Sequence, residues 1–219
     1  MRKDPDERKE ELVDAAEELF SEQGFQKTSI DEICQEVGVA HGLFYYYFDS
    51  KEEVIEAITE RMIGEMESKL EDILKDTDLR ADEKFVRFLD ISLKRRKERP
   101  YLLKYFSKKD SPQLYYNLFD EMVNMLVPYL TKIVEQGIDE GIFSTEYPEQ
   151  TIRFWLNGRL FLVGKDSFVK EGMFEDLIAE AFMLERLLES ESKFMTSFYE
   201  EKSEEIKAFL IEAKGEDMS

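Results

Sequence analysis

His41 and Cys34 are the single histidine and the single cysteine of this 219-residue chain, which narrows the chemistry open to it. A histidine-built metal site needs several imidazoles, and a thiol nucleophile needs a base beside it. Cys34 and His41 stand seven residues apart on two different predicted helices, and neither has another partner of its kind. Asp and Glu are abundant, but no two form a recognisable acid–base pair. Catalysis, a bound metal and a cofactor are therefore not expected. Recognition is. The run Tyr45-Tyr46-Tyr47 follows His41 on one short helix, and three successive helical residues cannot all face one core, so at least one must face outward. Phe44 and Phe48 are read as core, and Cys34, on an apolar face, as an inert buried residue. Ordinary packing for the tyrosines and a plain surface role for His41 are the alternatives.

The elements that position these residues are all helical. Periodicity of the 3.6-residue kind dominates, and no stretch alternates like a strand. A first helix runs over Asp6 to Gln23, with Leu12, Ala15, Ala16, Leu19 and Phe20 on one stripe and Gly24 as its stop. A second begins at Thr28–Ser29, where Ser29 and Glu32 fit a capping box, and buries Ile30, Ile33, Cys34 and Val37. The turn Glu36-Val37-Gly38-Val39 leads at once into a third, Ala40 to Phe48. Two short helices joined by a tight glycine-containing turn match a helix-turn-helix. Ser50 and Glu53 then open a long helix towards Lys75.

Beyond it, helices are expected over Ala81–Arg99, Tyr101–Lys108, Pro112–Gly137, Pro148–Phe168, Gly172–Ser190 and Lys193–Lys214, with Pro128 kinking or splitting the third of these. No flexible linker separates them. The fold is expected to be all-α, with a three-helix DNA-binding domain at 1–50 and a larger helical ligand-binding and dimerisation domain at 51–219. The larger part is rich in aromatics and methionines. Phe88, Tyr101, Tyr105, Tyr115, Phe119, Met122, Met125 and Trp155 suit an apolar pocket with a few polar anchors, although such stripes also build ordinary cores. Glu121 or Asp90 would favour a cation over aromatic faces. The helices at 148–168 and 172–190 carry a surplus of apolar side chains and are read as a homodimer surface.

Charge opposes the nucleic-acid reading. The chain carries a net charge of −20, and residues 1–51 hold six Lys/Arg against thirteen Asp/Glu, a balance of −7. Phosphate binding is driven by cations, so the few present must be well placed. One cysteine allows no intramolecular disulfide. Met1 to Glu11 has no apolar signal region, and no run of about 18 apolar residues exists, so neither secretion nor a membrane partner is expected and a cytoplasmic location is.

The ordered residues Ala15-Ala16-Glu17-Glu18-Leu19-Phe20, Gly24-Phe25, Thr28-Ser29-Ile30, Val37-Gly38-Val39, Gly42, Tyr45, Tyr47-Phe48 and Ser50-Lys51-Glu52-Glu53 closely resemble the TetR family of regulators, over about residues 8–55. The resemblance implies that Thr28 caps the second helix and touches phosphate, and that Tyr45, Tyr47 and Lys51 contact phosphates. It implies that Ala40, His41, Leu43 and Tyr46 face base edges, and that Gly42 permits close approach to the groove. The family often has Lys or Arg at the position of His41 and Arg at that of Tyr46. Here the recognition helix has no permanent cation, which removes bidentate reading of guanine. The resemblance further implies a homodimer on a palindromic operator in double-stranded DNA, released by a small-molecule effector that is bulky and mostly apolar. A helical small-molecule-binding module with weakened or lost DNA binding is the alternative.

Overall fold

The computed structural model describes residues 5–99, 101, 102, 105, 112–164 and 172–216, excepting the side chains of 112–115, 160–164 and 213–216, and every element in them is a helix. In chain order these are α1 (Pro5–Gln23), α2 (Ile30–Val37), α3 (His41–Tyr47), α4 (Lys51–Lys75), α5 (Ala81–Glu98), α6 (Pro112–Asp139), α7 (Pro148–Gly164), α8 (Met173–Leu187), α9 (Phe194–Glu201) and α10 (Ser203–Glu216). The helix expected over Tyr101–Lys108 and the end of the one expected to reach Phe168 lie largely outside the described residues. Two compact units result, residues 1–65 and 66–219.

The smaller unit closes on the apolar stripe of α1. Leu12, Ala16 and Phe20 are fully buried with Ile33 of α2 and Phe44 of α3, and Phe20 meets Phe25 at 5.1 Å between ring centroids. Val54, Ile55 and Ile58 of α4 are buried as well. The compact unit to which they belong extends through residue 65, inside α4. Arg61 fastens α4 to α1 by hydrogen bonds to Asp14, at 2.5 Å, and to Glu17.

The larger unit packs around aromatics. Phe85 lies edge-on to Phe88 at 6.0 Å, 5.6 Å from Trp155 and 5.3 Å from Phe194. Helix α6 runs unbroken through Pro128, so the expected split does not occur. A proline inside a helix costs about 3 kcal/mol, whereas burying each large apolar side chain returns about 1.5–3 kcal/mol. Val123, Leu126 and Val127 on one side of Pro128 and Leu130, Ile133 and Val134 on the other are all buried, which outweighs that penalty. The helix expected over Lys193–Lys214 divides into α9 and α10 at Lys202, with no glycine or proline to announce it. Glu185 of α8 supplies the N-terminal cap of α9 from outside, accepting from the backbone N–H of Met195 at 2.9 Å and of Thr196 at 2.8 Å and from the Thr196 hydroxyl at 2.8 Å.

Gly137 does not end α6. The helix continues to Asp139, and Gly141, at φ 72°, makes the turn. Gly137 is small for another reason: a Cβ there would fall 2.1 Å from the Phe143 ring and 3.0 Å from the Ala81 Cβ. Gly137→Ala is expected to lower the stability of the larger unit by about 1–3 kcal/mol through overpacking. Chemical denaturation of the two proteins measures this, and an unchanged midpoint would contradict the packing account.

Candidate nucleic-acid interface

The approach to α3 is set by α2 and its turn. Ser29 caps α2: its Oγ accepts from the Glu32 N–H at 3.2 Å, while the Glu32 carboxylate accepts from the Ser29 N–H at 2.7 Å. The Ser29 hydroxyl and backbone hold the Glu32 carboxyl below the usual carboxylate range. At the other end Gly38, at φ 71°, occupies the left-handed region that a β-carbon disfavours, and its N–H and that of Val39 return to the last carbonyls of α2. This turn aims α3.

On α3, Phe44 is fully buried and anchors the helix, with the Phe48 ring 5.7 Å away. The opposite face is open. Tyr45 is 53% and Tyr46 73% exposed, and Ala40, His41 and Gly42 are exposed beside them. Leu43 and Tyr47 are half-buried, the Tyr47 ring edge-on to Tyr46 at 4.8 Å. Helix α3 therefore brings together Ala40, His41, Gly42, Tyr45 and Tyr46, with Leu43 and Tyr47 at its margins. His41 is not a free reader: its Nε2 is paired with the Asp31 carboxylate of α2.

Two implied contacts turn inward. Thr28 is buried, and its hydroxyl donates to the Gly24 carbonyl at 3.0 Å. The cap of α2 is Ser29, so the capping role implied for Thr28 belongs to its neighbour. Lys51 is engaged inside the unit, its Nζ donating to the carbonyls of Phe25, at 2.7 Å, and of Thr28. It also lies 4.4 Å from the Phe25 ring centroid, and burial lowers its pKa. The first described unit has five cations, Arg8, Lys9, Lys27, Lys51 and Arg61. Arg8 pairs with Glu11 at 2.7 Å, Lys9 lies over Phe48, and Arg61 binds Asp14 and Glu17. Among the described residues this leaves Lys27, exposed just before α2, as the cation without a partner. Sequence reasoning passed over it because its position carries no pattern.

The residues expected to line a pocket are scattered. Phe88, Tyr101 and Trp155 are buried, the first and last within the aromatic core. Phe119, Met122 and Met125 pack partly against that core, Tyr105 is half-buried, and the Tyr115 side chain is outside the described residues. Phe119 also lines an open recess of about 700 Å3 with Tyr116, Asp120, Glu121, Asn124 and Asn157. Asp90 is on the surface, 3.5 Å from Lys202, so it does not face an aromatic cavity. On the two helices read as a dimer surface, Ile152, Trp155 and Leu156 of α7 and Leu177, Ala181 and Leu184 of α8 bury within their own unit. Phe154 (70%), Phe182 (54%) and Met183 (57%) instead stand exposed. The sequence pattern pointed to the helices but missed Phe154 and Met183, which sit off the apolar stripe.

Comparison with known proteins adds independent findings. Residues 12–58 match the family model described as bacterial regulatory proteins, tetR family. The chain is 37% identical to the uncharacterised HTH-type transcriptional regulator YerO of Bacillus subtilis (strain 168) over 70 residues, 32% of this chain and 24% of that protein. It is 38% identical to YvdT of the same organism over 82 residues, 37% of this chain and 40% of that protein. The match thus spans less than half the length of either relative. With YfiR, also from that organism, identity is 27% over 69% of this chain and 76% of the relative. Among solved structures, a transcriptional regulator from Cytophaga hutchinsonii has the same fold, with a TM-score of 0.64 at 20% identity over 89% of this chain and 97% of that one. FadR of Thermus thermophilus, a TetR-family repressor solved with lauroyl-CoA, gives 0.53 at 18% identity over 94% of both chains. The first unit thus carries a helix-turn-helix that matches the tetR family model, and the helical fold as a whole is the one these solved regulators share.

Proposed function

We propose that this protein is a dimeric, ligand-responsive repressor that binds a palindromic operator and is released by a bulky, mostly apolar small molecule. The observation that carries the reading is the open face of α3, where Tyr45 and Tyr46 stand exposed on a helix anchored by buried Phe44. A packing role does not account for two exposed tyrosines, whereas contact with thymine methyls and base edges in a major groove does. Ala40, His41, Leu43 and Tyr46 read bases, with His41 held by Asp31 until DNA competes for it. Tyr45, Tyr47 and Lys27 contact phosphate. Lys51 and Thr28 act from behind, by holding the loop that carries Lys27.

A single helix-turn-helix reads too few bases, so the reading requires a pair. The exposed Phe154 of α7 and Phe182 and Met183 of α8 form an apolar surface of the kind that two copies cover. The effector acts by binding one arrangement of the dimer more tightly than the other. Helix α4 is suited to carry that difference, because Val54, Ile55 and Ile58 are buried at one end and Leu70 and Ile73 at the other.

Selecting bound sequences from random double-stranded DNA tests the operator claim. Enrichment of a palindrome, lost on addition of cell extract as a ligand source, is expected. The acidity of the first unit favours a second reading, a binding module that has lost its DNA, and the absence of any enriched site would establish it.

Two substitutions refine the assignment. Lys27→Ala is expected to flatten the dependence of log K on log salt by about 0.9 per protomer, one phosphate contact, without changing stability. Lys51→Met should do the reverse, lowering thermal stability and leaving the slope alone. Phe182→Glu is expected to yield monomers by sedimentation and to weaken operator binding with them; a dimer that survives this charge would place the interface elsewhere.

A further inference from the structure

His41 stands on the open face of α3 with one of its two ring nitrogens already engaged. It is the first residue of α3, and its Nε2 lies against Oδ1 of Asp31, the second residue of α2. The contact crosses the turn between the two helices and joins an imidazole 46% exposed to a carboxylate 83% exposed. An exposed pair of this kind contributes little to stability, and the capping of α2 is done by Ser29 and Glu32 without it. The charged and titratable groups that face the ring are Asp31 from α2 and, on α3 itself, Tyr45, whose ring centroid is 5.9 Å away. Among the described residues Nδ1 has no partner.

A neutral imidazole carries one N–H and one bare nitrogen, and its partners decide which is which. An ionised carboxylate offers only lone pairs. A bare Nε2 against it would set lone pair against lone pair, so the proton stays on Nε2. Nδ1 is then the bare nitrogen, and it can only accept. In the major groove the donors on base edges are exocyclic amines, N6 of adenine and N4 of cytosine, whereas guanine N7 and O6, adenine N7 and thymine O4 are acceptors. The N-terminal residues of a recognition helix are the ones that reach those edges.

We propose that Asp31 is a positioning residue that fixes the tautomer of His41, so that His41 recognises an exocyclic amine, adenine N6 or cytosine N4, through Nδ1. The inference rests on the reading that α3 enters a major groove. It refines the part given there to His41: DNA takes Nδ1 while Asp31 keeps Nε2. It also fixes a direction with pH. Histidine side chains take up a proton as pH falls from about 8 to 5. With Nε2 already protonated, that proton goes to Nδ1 and turns the acceptor into a donor. The preference for an amine is present at high pH and lost as pH falls.

The full-length protein is tested with the palindrome enriched from random double-stranded DNA. His41→Ala first identifies the base pair whose preference depends on the ring. Two replacements are then made at that pair. One deletes the amine (purine for adenine, 2-pyrimidinone for cytosine). The other sets a carbonyl in its place and keeps the pairing (hypoxanthine with cytosine for A·T, uracil with adenine for C·G). At about pH 8.5 deletion is expected to weaken binding about fivefold per half-site, the loss of one hydrogen bond, and the carbonyl more than that, because two acceptors then face each other. At about pH 5.5 the order should reverse, with the carbonyl bound more tightly than the amine. The carboxamide of Asp31→Asn can accept from Nε2 or donate to it, which frees the tautomer. This exposed substitution should therefore bring carbonyl and amine within about twofold of each other at pH 8.5, and leave thermal stability and the other base preferences unchanged. No loss on deleting the amine, a carbonyl penalty that does not change with pH, or one untouched by Asp31→Asn overturns the inference and leaves an operator-binding protein standing. A palindrome in which no position answers to His41→Ala does the same. Failure to enrich any site removes the repressor reading and this inference together.

Discussion

The ammonium group of Lys51 sits on the carbonyl oxygens of Phe25 and Thr28 and above the Phe25 ring, and the recognition surface depends on that position. Those carbonyls belong to the loop that enters α2, and Lys51 is the first residue of α4. The contact therefore joins the two ends of the α2–α3 segment, entry and exit, at one cation. Thr28 completes the joint by turning its hydroxyl back onto Gly24. With entry and exit fixed, the capping box of Ser29 and the left-handed turn at Gly38 determine where α3 points. A cation that would have contributed to DNA affinity from the surface instead contributes to the geometry that makes a specific surface.

The same allocation recurs through the molecule. In a chain with 30 Lys and Arg and 50 Asp and Glu, cations find partners readily, and many are taken up inside. Arg61 binds Asp14 and Glu17 between two helices. Lys84, buried, donates to the Leu74 carbonyl at 3.1 Å and to Gln136 Oε1 at 2.9 Å, closing the C-terminal end of α4. Each of these has acceptors arranged around it. Arg159 follows it too, paired with buried Glu180 of α8 at 3.1 Å and lying 5.1 Å from the Trp155 ring centroid.

Much of the fold was legible in the sequence because local rules and burial agreed there. Leu12, Ala16 and Phe20 recur at helical spacing and are buried; Ser29 with Glu32, and Gly38, mark both ends of α2 by chemistry that acts within a few residues. The misreadings arise where a distant partner decides. Pro128 looked like a break because its penalty is local, while the burial that offsets it is tertiary. Gly137 looked like a helix stop, yet its size answers to Phe143 and Ala81, which no short window shows. The site divides the same way. The tyrosine run declared an exposed face by periodicity alone, but the inward turn of Thr28 and Lys51, the pairing of His41 with Asp31, and the partnerless state of Lys27 depend on contacts between elements. Two of these, Lys51 and Lys27, reverse the ranking a motif gives, since the patterned lysine is internal and the unpatterned one is outside.

The acidity of the DNA-facing unit then takes on a definite meaning. Non-specific affinity scales with the phosphates that free cations neutralise, and among the described residues of this unit only Lys27 is free to do so. Discrimination between sequences comes from contacts to base edges and methyl groups, which the exposed face of α3 offers in hydroxyls and apolar surface without net charge. Removing cations lowers binding to every sequence alike, whereas keeping the tyrosine face preserves the difference between sequences. A unit built this way trades overall grip for a higher ratio of specific to non-specific binding, and in the proposed dimer two copies would recover the grip only where both half-sites are present. The negative balance of residues 1–51 is thus compatible with the proposed operator recognition, and under that proposal recognition would rest on the dimer.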